Sequence, residues 1–405
     1  MRVRIISRAV PIMQAEAATR SILLVVGETS ADRYAANLVR KLRMFEGNRA
    51  LTFFGTGGDE MEAAGVEILC HIRELAAIGP REALHHLHKY FRTFRLLTDA
   101  CRERRPSVAV LLDFPEFNLR LAKKLKHLGL KVIYYISPQL WAWRRGRIRI
   151  VRKYVDRMLV ILPFEEEYYR ERGVKVEFVG HPLLEDFAAI RDRENFFREF
   201  GLDPGLKTIA LLPGSRQREV ECILPTLLAA SQQVLHRLPA QFLISVAPAI
   251  DPRQIARIAS SVLTEDQNRD RFRVLSTETR RILANSDFGF VKSGTSTLEA
   301  ALAGTPFLIL YKISPVSWIL GNILIRSRYK GLVNLIARQE IVPEYLQWDA
   351  TPERLSAAAL EYLEDPEKAA AMQNRLGGIR DLLGSRCASD TVAALVARYL
   401  EGREC

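Results

Sequence analysis

No run of about 18 apolar residues, the least that crosses a bilayer as a helix, occurs in the 405-residue sequence, so no membrane span is expected. Cysteine is scarce. Cys70, Cys101, Cys222, Cys387 and Cys405 lie far apart and form no C-x-x-C pair, which argues against a zinc knuckle or a disulfide framework and fits a reducing cytoplasm. The seven histidines show no H-E-x-x-H or similar ligand spacing, so no metal is expected. The Walker pattern G-x-x-x-x-G-K-[ST] is missing. So is a G-x-G-x-x-G with an acidic residue at the right distance, and a dinucleotide cofactor is unsupported. Glycine (23) and proline (18) are too few and too scattered for a fibrous or low-complexity chain.

What is present is the balance of a globular protein: 48% hydrophobic and 26% charged residues, with a formal net charge of +12. At about 100–200 residues per domain, the length suggests two domains. Residues 1–20 are basic and mildly apolar. Arg4 and Arg8 interrupt the apolar run and leave no signal-peptide core, so this stretch reads as a tail.

Short apolar runs then alternate with helical patterns. Ile22–Val26, Leu51–Phe54, Ser107–Leu112, Lys131–Ile136 and Arg157–Leu162 form a first series, and Thr208–Leu212, Gln241–Val246, Phe288–Val291 and Pro306–Leu310 a second. Continuous apolar runs of this length read as strands buried on both faces of a parallel sheet. The fold class is therefore α/β, in two similar doubly wound halves. The expected division is an N-terminal domain of 21–185 and a C-terminal domain of 186–405, with the last helix crossing back to the first. Helices are expected near 352–364 and 385–401. A cleft between the carboxyl ends of two such sheets is where ligands of α/β proteins bind.

The loops that leave the strands carry the chemistry. Gly214-Ser215-Arg216 follows a strand directly: glycine permits close backbone approach, serine offers a hydroxyl, and arginine brings a five-donor fork suited to phosphate. Ser293-Gly294-Thr295-Ser296-Thr297 crosses from a strand to a helix start, whose open N–H groups and dipole favour a diphosphate. Glu299 lies one turn further, within reach of ribose hydroxyls; a capping box between Ser296 and Glu299 fits the same residues. Asp113 ends an apolar strand as a candidate general base, with Glu116 and Asn118 nearby. An Asx-turn or helix cap is the alternative for Asp113. His181, in Gly180-His181-Pro182, is a candidate ligand contact at the domain link.

Basic residues crowd one segment: Arg144, Arg145, Arg147, Arg149, Arg152, Lys153 and Arg157 follow Trp141 and Trp143. Rings beside cations suit an anionic membrane surface and equally a nucleic acid. A second segment, Pro315–Ile325 with Trp318, ends in Arg326, Arg328 and Lys330. It is too short to span but suited to the interface. Phosphate-suited loops at successive strand ends argue against a non-catalytic nucleic-acid or membrane scaffold.

Taken in order, GETSADRYAANL, GTGGDEME, LLDFPEFN, YYISPQLWAWRRGRI, LPFEEEYY, FVGHPL, LLPGSRQREVE, KSGTSTLEAALAGTP and GLVNLIARQEIVPEYLQ resemble the lipid-A-disaccharide synthase family over residues 20–400. The resemblance implies a glycosyltransferase-B architecture, two Rossmann-like domains facing across a cleft. It implies an inverting enzyme without metal or other cofactor, which joins UDP-2,3-diacylglucosamine to 2,3-diacylglucosamine 1-phosphate (lipid X), giving a β-1,6-linked disaccharide 1-phosphate and UDP. The partners are then these two lipids and the anionic inner face of the cytoplasmic membrane, with no nucleic acid. By the same resemblance the essential aspartate falls on Asp113, the phosphate-binding arginine on Arg216, the nucleotide-side glutamate on Glu299, a late motif asparagine on Asn334, and the first-loop glutamate on Glu28, beside Ser30. The chain departs from the family pattern at Ala31, Phe114 and Glu116. Another UDP-sugar enzyme of this fold, such as a UDP-N-acetylglucosamine 2-epimerase, is the nearest alternative.

Overall fold

The computed structural model describes residues 20–46, 51–75, 83–141, 145–185, 192–247, 250–263, 270–276, 279–312 and 329–403. Thirteen strands appear among them. The first seven are β1 (Arg20–Val25), β2 (Leu51–Gly57), β3 (Glu67–His71), β4 (Val108–Leu112), β5 (Lys131–Tyr135), β6 (Arg157–Val160) and β7 (Val176–Phe178). The rest are β8 (Lys207–Leu212), β9 (Ala240–Ser245), β10 (Phe272–Leu275), β11 (Phe288–Lys292), β12 (Phe307–Tyr311) and β13 (Glu344–Leu346).

They form two sheets, ordered β3-β2-β1-β4-β5-β6-β7 and β10-β9-β8-β11-β12-β13. Neighbours such as β1 and β4, or β8 and β11, run parallel. The apolar runs explain why. Every residue of β4 and of β9 is buried, as strands covered by helices on both faces must be. The outer strands β3, β7, β10 and β13 are short and only part-buried, the usual state of a sheet edge.

Helices follow most strands. Thr29–Glu46 leaves β1 and turns Ala31, Ala35, Leu38, Val39 and Leu42 inward at helical spacing. Gln217–Leu235 leaves β8 and does the same with Val220, Ile223, Leu224, Leu227 and Leu228. A helix over Pro366–Leu383 separates Pro352–Leu363 from Ala388–Leu400. By packing, the described residues of 1–77, 84–134 and 392–405 form one compact unit, and those of 78–83 and 135–391 the other. Among the described residues no helix is long and apolar enough to cross a membrane.

Candidate active site

In each sheet the order of connection reverses at one place, between β1 and β4 and between β8 and β11. At such a switch point the loops leave in opposite directions and open a crevice at the carboxyl ends of the strands.

In the first sheet, β1 runs into Gly27-Glu28 and β4 into Asp113-Phe114. Asp113 (φ +47°) and Phe114 (φ +48°) are both left-handed, a conformation that costs a non-glycine residue about 1–3 kcal/mol. The surroundings impose it. The Asn118 amide donates to the carbonyls of Asp113 (2.8 Å), Leu112 (3.1 Å) and Val25 (3.4 Å), and the Tyr134 hydroxyl donates to the Asp113 carbonyl (2.6 Å). Pro115 then starts the helix Pro115–His127. Phe114 lies on Gly27, where a Cβ would come within 2.3 Å of the ring, and stacks on Phe117 at 5.1 Å. The aromatic departure at 114 is thus accommodated by the bare backbone at 27. Ala31 is buried, while the Glu116 carbonyl accepts from the Tyr90 hydroxyl (2.8 Å). Glu28 is exposed and Ser30 half-buried at the same loop. Asn118, expected to line a ligand site, is fully buried and braces the strand ends instead.

In the second sheet, β8 leads into Gly214-Ser215-Arg216. Gly214 has φ +126°, and a Cβ there would sit 2.5 Å from a Glu219 carboxylate oxygen. Glu219 accepts from the Ser215 N–H (3.2 Å) and pairs with Lys292 at the end of β11 (2.8 Å), with Arg216 further off at 3.9 Å. Ser215 and Arg216 are exposed. Past β11, the Ser293 hydroxyl donates to the Lys330 carbonyl (2.9 Å). The helix Thr295–Ala303 begins there, its N-terminus at the crevice. Its cap is Gly294, and Thr297 donates to the Gly294 carbonyl (2.7 Å). The expected capping box on Ser296 is therefore not formed: helical geometry already includes Thr295, one residue before it. Ser296 and Glu299 are half-buried.

Asn334 was expected beside the nucleotide. It is fully buried and saturated: its oxygen accepts from Ile341 (2.9 Å) and Val342 (3.0 Å), and its nitrogen donates to the Val342 carbonyl (2.7 Å) and Glu344 (2.8 Å). No group is left for a ligand. Asn334 holds the approach to β13, while Glu344 in turn accepts from the N–H groups of Lys330 and Gly331.

His181 is also turned inward. Its Nδ1 accepts from the Leu183 N–H (3.2 Å), and burial lowers its pKa to about 4. The stretch around it is tied down by Arg386, which donates to the Phe178 carbonyl (2.7 Å), and by Ser389, whose N–H donates to Glu185 (2.7 Å). Its Nδ1 thereby helps to shape the chain at this point.

Trp141 was expected at a membrane surface. Instead its indole N–H donates to the buried Glu165 (3.0 Å) and its ring meets Phe164 edge-on at 5.1 Å. Glu165 also accepts from the Ser137 hydroxyl (2.7 Å) and the Leu162 N–H (3.3 Å). The hydroxyls of Tyr169 and Tyr168 donate to the carbonyls of Pro138 (2.7 Å) and Leu140 (3.1 Å). Together these groups fix residues 137–141 after the left-handed Ile136 (φ +65°). Arg145 is exposed and Arg147 half-buried. Trp143, Arg144 and Trp318 lie outside the described residues. Among the described residues, no three His, Cys, Asp or Glu side chains are grouped to hold a metal ion.

The profile of the family described as lipid-A-disaccharide synthetase matches residues 22–396. The chain belongs to the lipid-A-disaccharide synthase family. A relative of that name from Nitrosococcus oceani is 39% identical over 382 residues, covering 94% of this chain and 96% of its own. As a family member, the chain is a glycosyltransferase of lipid A biosynthesis that uses a UDP-sugar lipid substrate. Two solved structures share the fold alone. A UDP-GlcNAc 2-epimerase from Neisseria meningitidis, bound to UDP-GlcNAc, is 13% identical with a TM-score of 0.65, covering 93% of this chain and 100% of that one. A calicheamicin glycosyltransferase is 15% identical with a TM-score of 0.57, covering 95% and 99%. The α/β class with two Rossmann-like sheets, and the transferase reading over the epimerase alternative, are thereby supported.

Glu165 yields a pH prediction. Burial raises its pKa from 4.5 to about 7, against the lowering effect of its hydrogen bonds. The folded state therefore holds the proton longer than the unfolded state. Stability is lost as pH rises from about 4.5 to 7, and the loss is complete above that. Glu165→Gln removes the titration. The melting temperature of the unmodified chain relative to Glu165→Gln should fall between pH 5 and pH 8. A constant difference across that range would show that Glu165 is ionised at both ends.

Proposed function

We propose that the chain transfers the diacylglucosaminyl group of UDP-2,3-diacylglucosamine to the 6-hydroxyl of 2,3-diacylglucosamine 1-phosphate. The acceptor oxygen attacks C1 from the face opposite the nucleotide. Asp113 takes the hydroxyl proton, the bond from C1 to the diphosphate oxygen breaks, and UDP leaves with that electron pair. The anomeric centre inverts. The observation that carries this reading is the left-handed Asp113 at the end of β4, held by Asn118 and Tyr134. Strain kept in place by dedicated hydrogen bonds is typical of a functional position.

The departing UDP requires positive charge. Arg216, the Ser215 hydroxyl and the backbone N–H groups at Gly294, Thr295 and Ser296 would supply it, aided by the helix dipole. Glu299 would accept from ribose. Glu28 and Ser30 would face the acceptor sugar. Asn334, Asn118 and His181 would act by holding these groups in place. Both lipids carry acyl chains, so the enzyme would work at the anionic inner face of the cytoplasmic membrane, with the arginines around Arg145 and Arg147 meeting headgroups.

Incubation with UDP-diacylglucosamine and lipid X, with release of UDP followed, tests the reaction; no UDP release would overturn it. Asp113→Asn should lower turnover by about 10²–10⁴ and leave UDP affinity nearly unchanged. Turnover near that of the unmodified chain would remove Asp113 from the base role. Arg216→Ala should weaken both UDP binding and turnover, and Arg216→Lys should restore them only in part, since lysine lacks the planar fork. An unchanged UDP dissociation constant would place Arg216 outside the site.

Membrane binding has its own test. The protein should sediment with anionic vesicles at low salt, less so at high salt, and less again when Arg144, Arg145, Arg147 and Arg149 are changed together to Ser. Protein that stays in the supernatant at low salt would end the membrane reading.

A further inference from the structure

Lys292 occupies the last position of β11, immediately before the Ser293-Gly294 turn. Its ammonium is 2.8 Å from Glu219, and the two side chains are only 18% and 13% exposed. Glu219 comes from the other side of the switch point, in the first turn of the helix after β8, and also accepts from the Ser215 N–H. One carboxylate thus draws donors from both loops of the crevice: a lysine from one, a backbone N–H from the other, and Arg216 at 3.9 Å. The Lys292 ammonium would lie 3.7 Å from a Cβ on Gly294, beside the open helix start.

A pair needed only for stability has no reason to collect a lysine, an arginine and a loop N–H around a single anion at a ligand crevice. We propose that Lys292 is a second diphosphate-binding cation, and that the Glu219 carboxylate occupies the phosphate's place among these donors when nucleotide is absent. The proposal rests on the reading of this crevice as the UDP site and adds to it a residue that touches the ligand. The chemistry is charge-assisted hydrogen bonding from an ammonium to a phosphate oxygen, with no covalent step.

The test compares UDP with uridine, which lacks the diphosphate, as ligands of the full chain. Lys292→Met should weaken UDP binding about tenfold, the size expected for one lost charge-assisted contact, and leave uridine affinity within about twofold. It should also flatten the dependence of UDP affinity on salt. Lys292→Arg should recover most of the loss. Should Lys292→Met not fold, Lys292→Gln is measured in the same way. A merely structural pair would lower thermal stability and shift UDP and uridine alike, and an unchanged UDP-to-uridine ratio in a folded variant overturns the proposal. Failure of the unmodified chain to prefer UDP over uridine would instead overturn the reading of the crevice itself.

Discussion

Reversal of the winding direction at two points, β1/β4 and β8/β11, is the constraint on which the site residues depend. A parallel sheet covered on both faces gives its strands no choice but to be apolar throughout. Polar chemistry is thereby confined to the residues just past the strand ends. Side chains hold those residues in place at the two switch points. In the first sheet this is the Asn118 amide, which reaches three carbonyls on two strand ends, together with the Tyr134 hydroxyl. In the second it is Glu219, which joins the loops electrostatically. The difference follows from the chemistry each crevice is proposed to perform. A base needs its backbone fixed; an anion cradle needs its cations kept from repelling one another.

The same logic explains why several polar residues of the motifs lie inside the fold. Asn118 and His181 direct their side chains to backbone groups, and Asn334 to backbone groups and the Glu344 carboxylate. A loop that must adopt left-handed or otherwise unpaired backbone leaves carbonyl and N–H groups with no strand or helix partner. Buried groups of this kind cost about 1–3 kcal/mol each when unsatisfied. An amide such as that of Asn334, with two donors and an acceptor oxygen that takes two bonds, closes that account in one residue.

Much of the architecture was legible because apolar runs of five or six residues have few other uses. All nine runs read as strands are strands, with ends shifted by three residues at most. No apolar run marked the edge strands β3, β7, β10 and β13, which are three to five residues long, carry Glu67, Glu177, Arg273 and Glu344, and are only partly covered by the fold. The helix Pro366–Leu383 escaped because only Met372, Leu376, Ile379 and Leu383 are buried, a stripe too narrow to stand out among charged neighbours. At the site, the loops were legible from glycine and small hydroxyl residues after a strand. Side-chain direction was not. Trp141 reads as an exposed ring beside arginines, and its bond to Glu165 and its packing on Phe164 show that it faces inward. Glu165 and Glu219 each lie in the first turn of a helix, the commonest place for a surface acid, so position alone hides what they hold.

Glu219 also bears on how a transferase of this kind releases its product. UDP is part of the donor and is then the leaving product, so any contact that binds it equally before and after transfer strengthens binding without raising turnover. A cradle built only of cations and a helix dipole would hold UDP most tightly when the reaction is over. A carboxylate 2.8 Å from Lys292 changes that balance. Within the proposal above, nucleotide binding must displace Glu219 from its donors, and nucleotide departure returns them to it. The free enzyme then keeps Lys292 paired, and the affinity gained from two cations is reduced by the loss of an internal ion pair. The charge that stabilises developing negative charge on the diphosphate stays available during transfer, while the resting pair draws down what the product would otherwise retain.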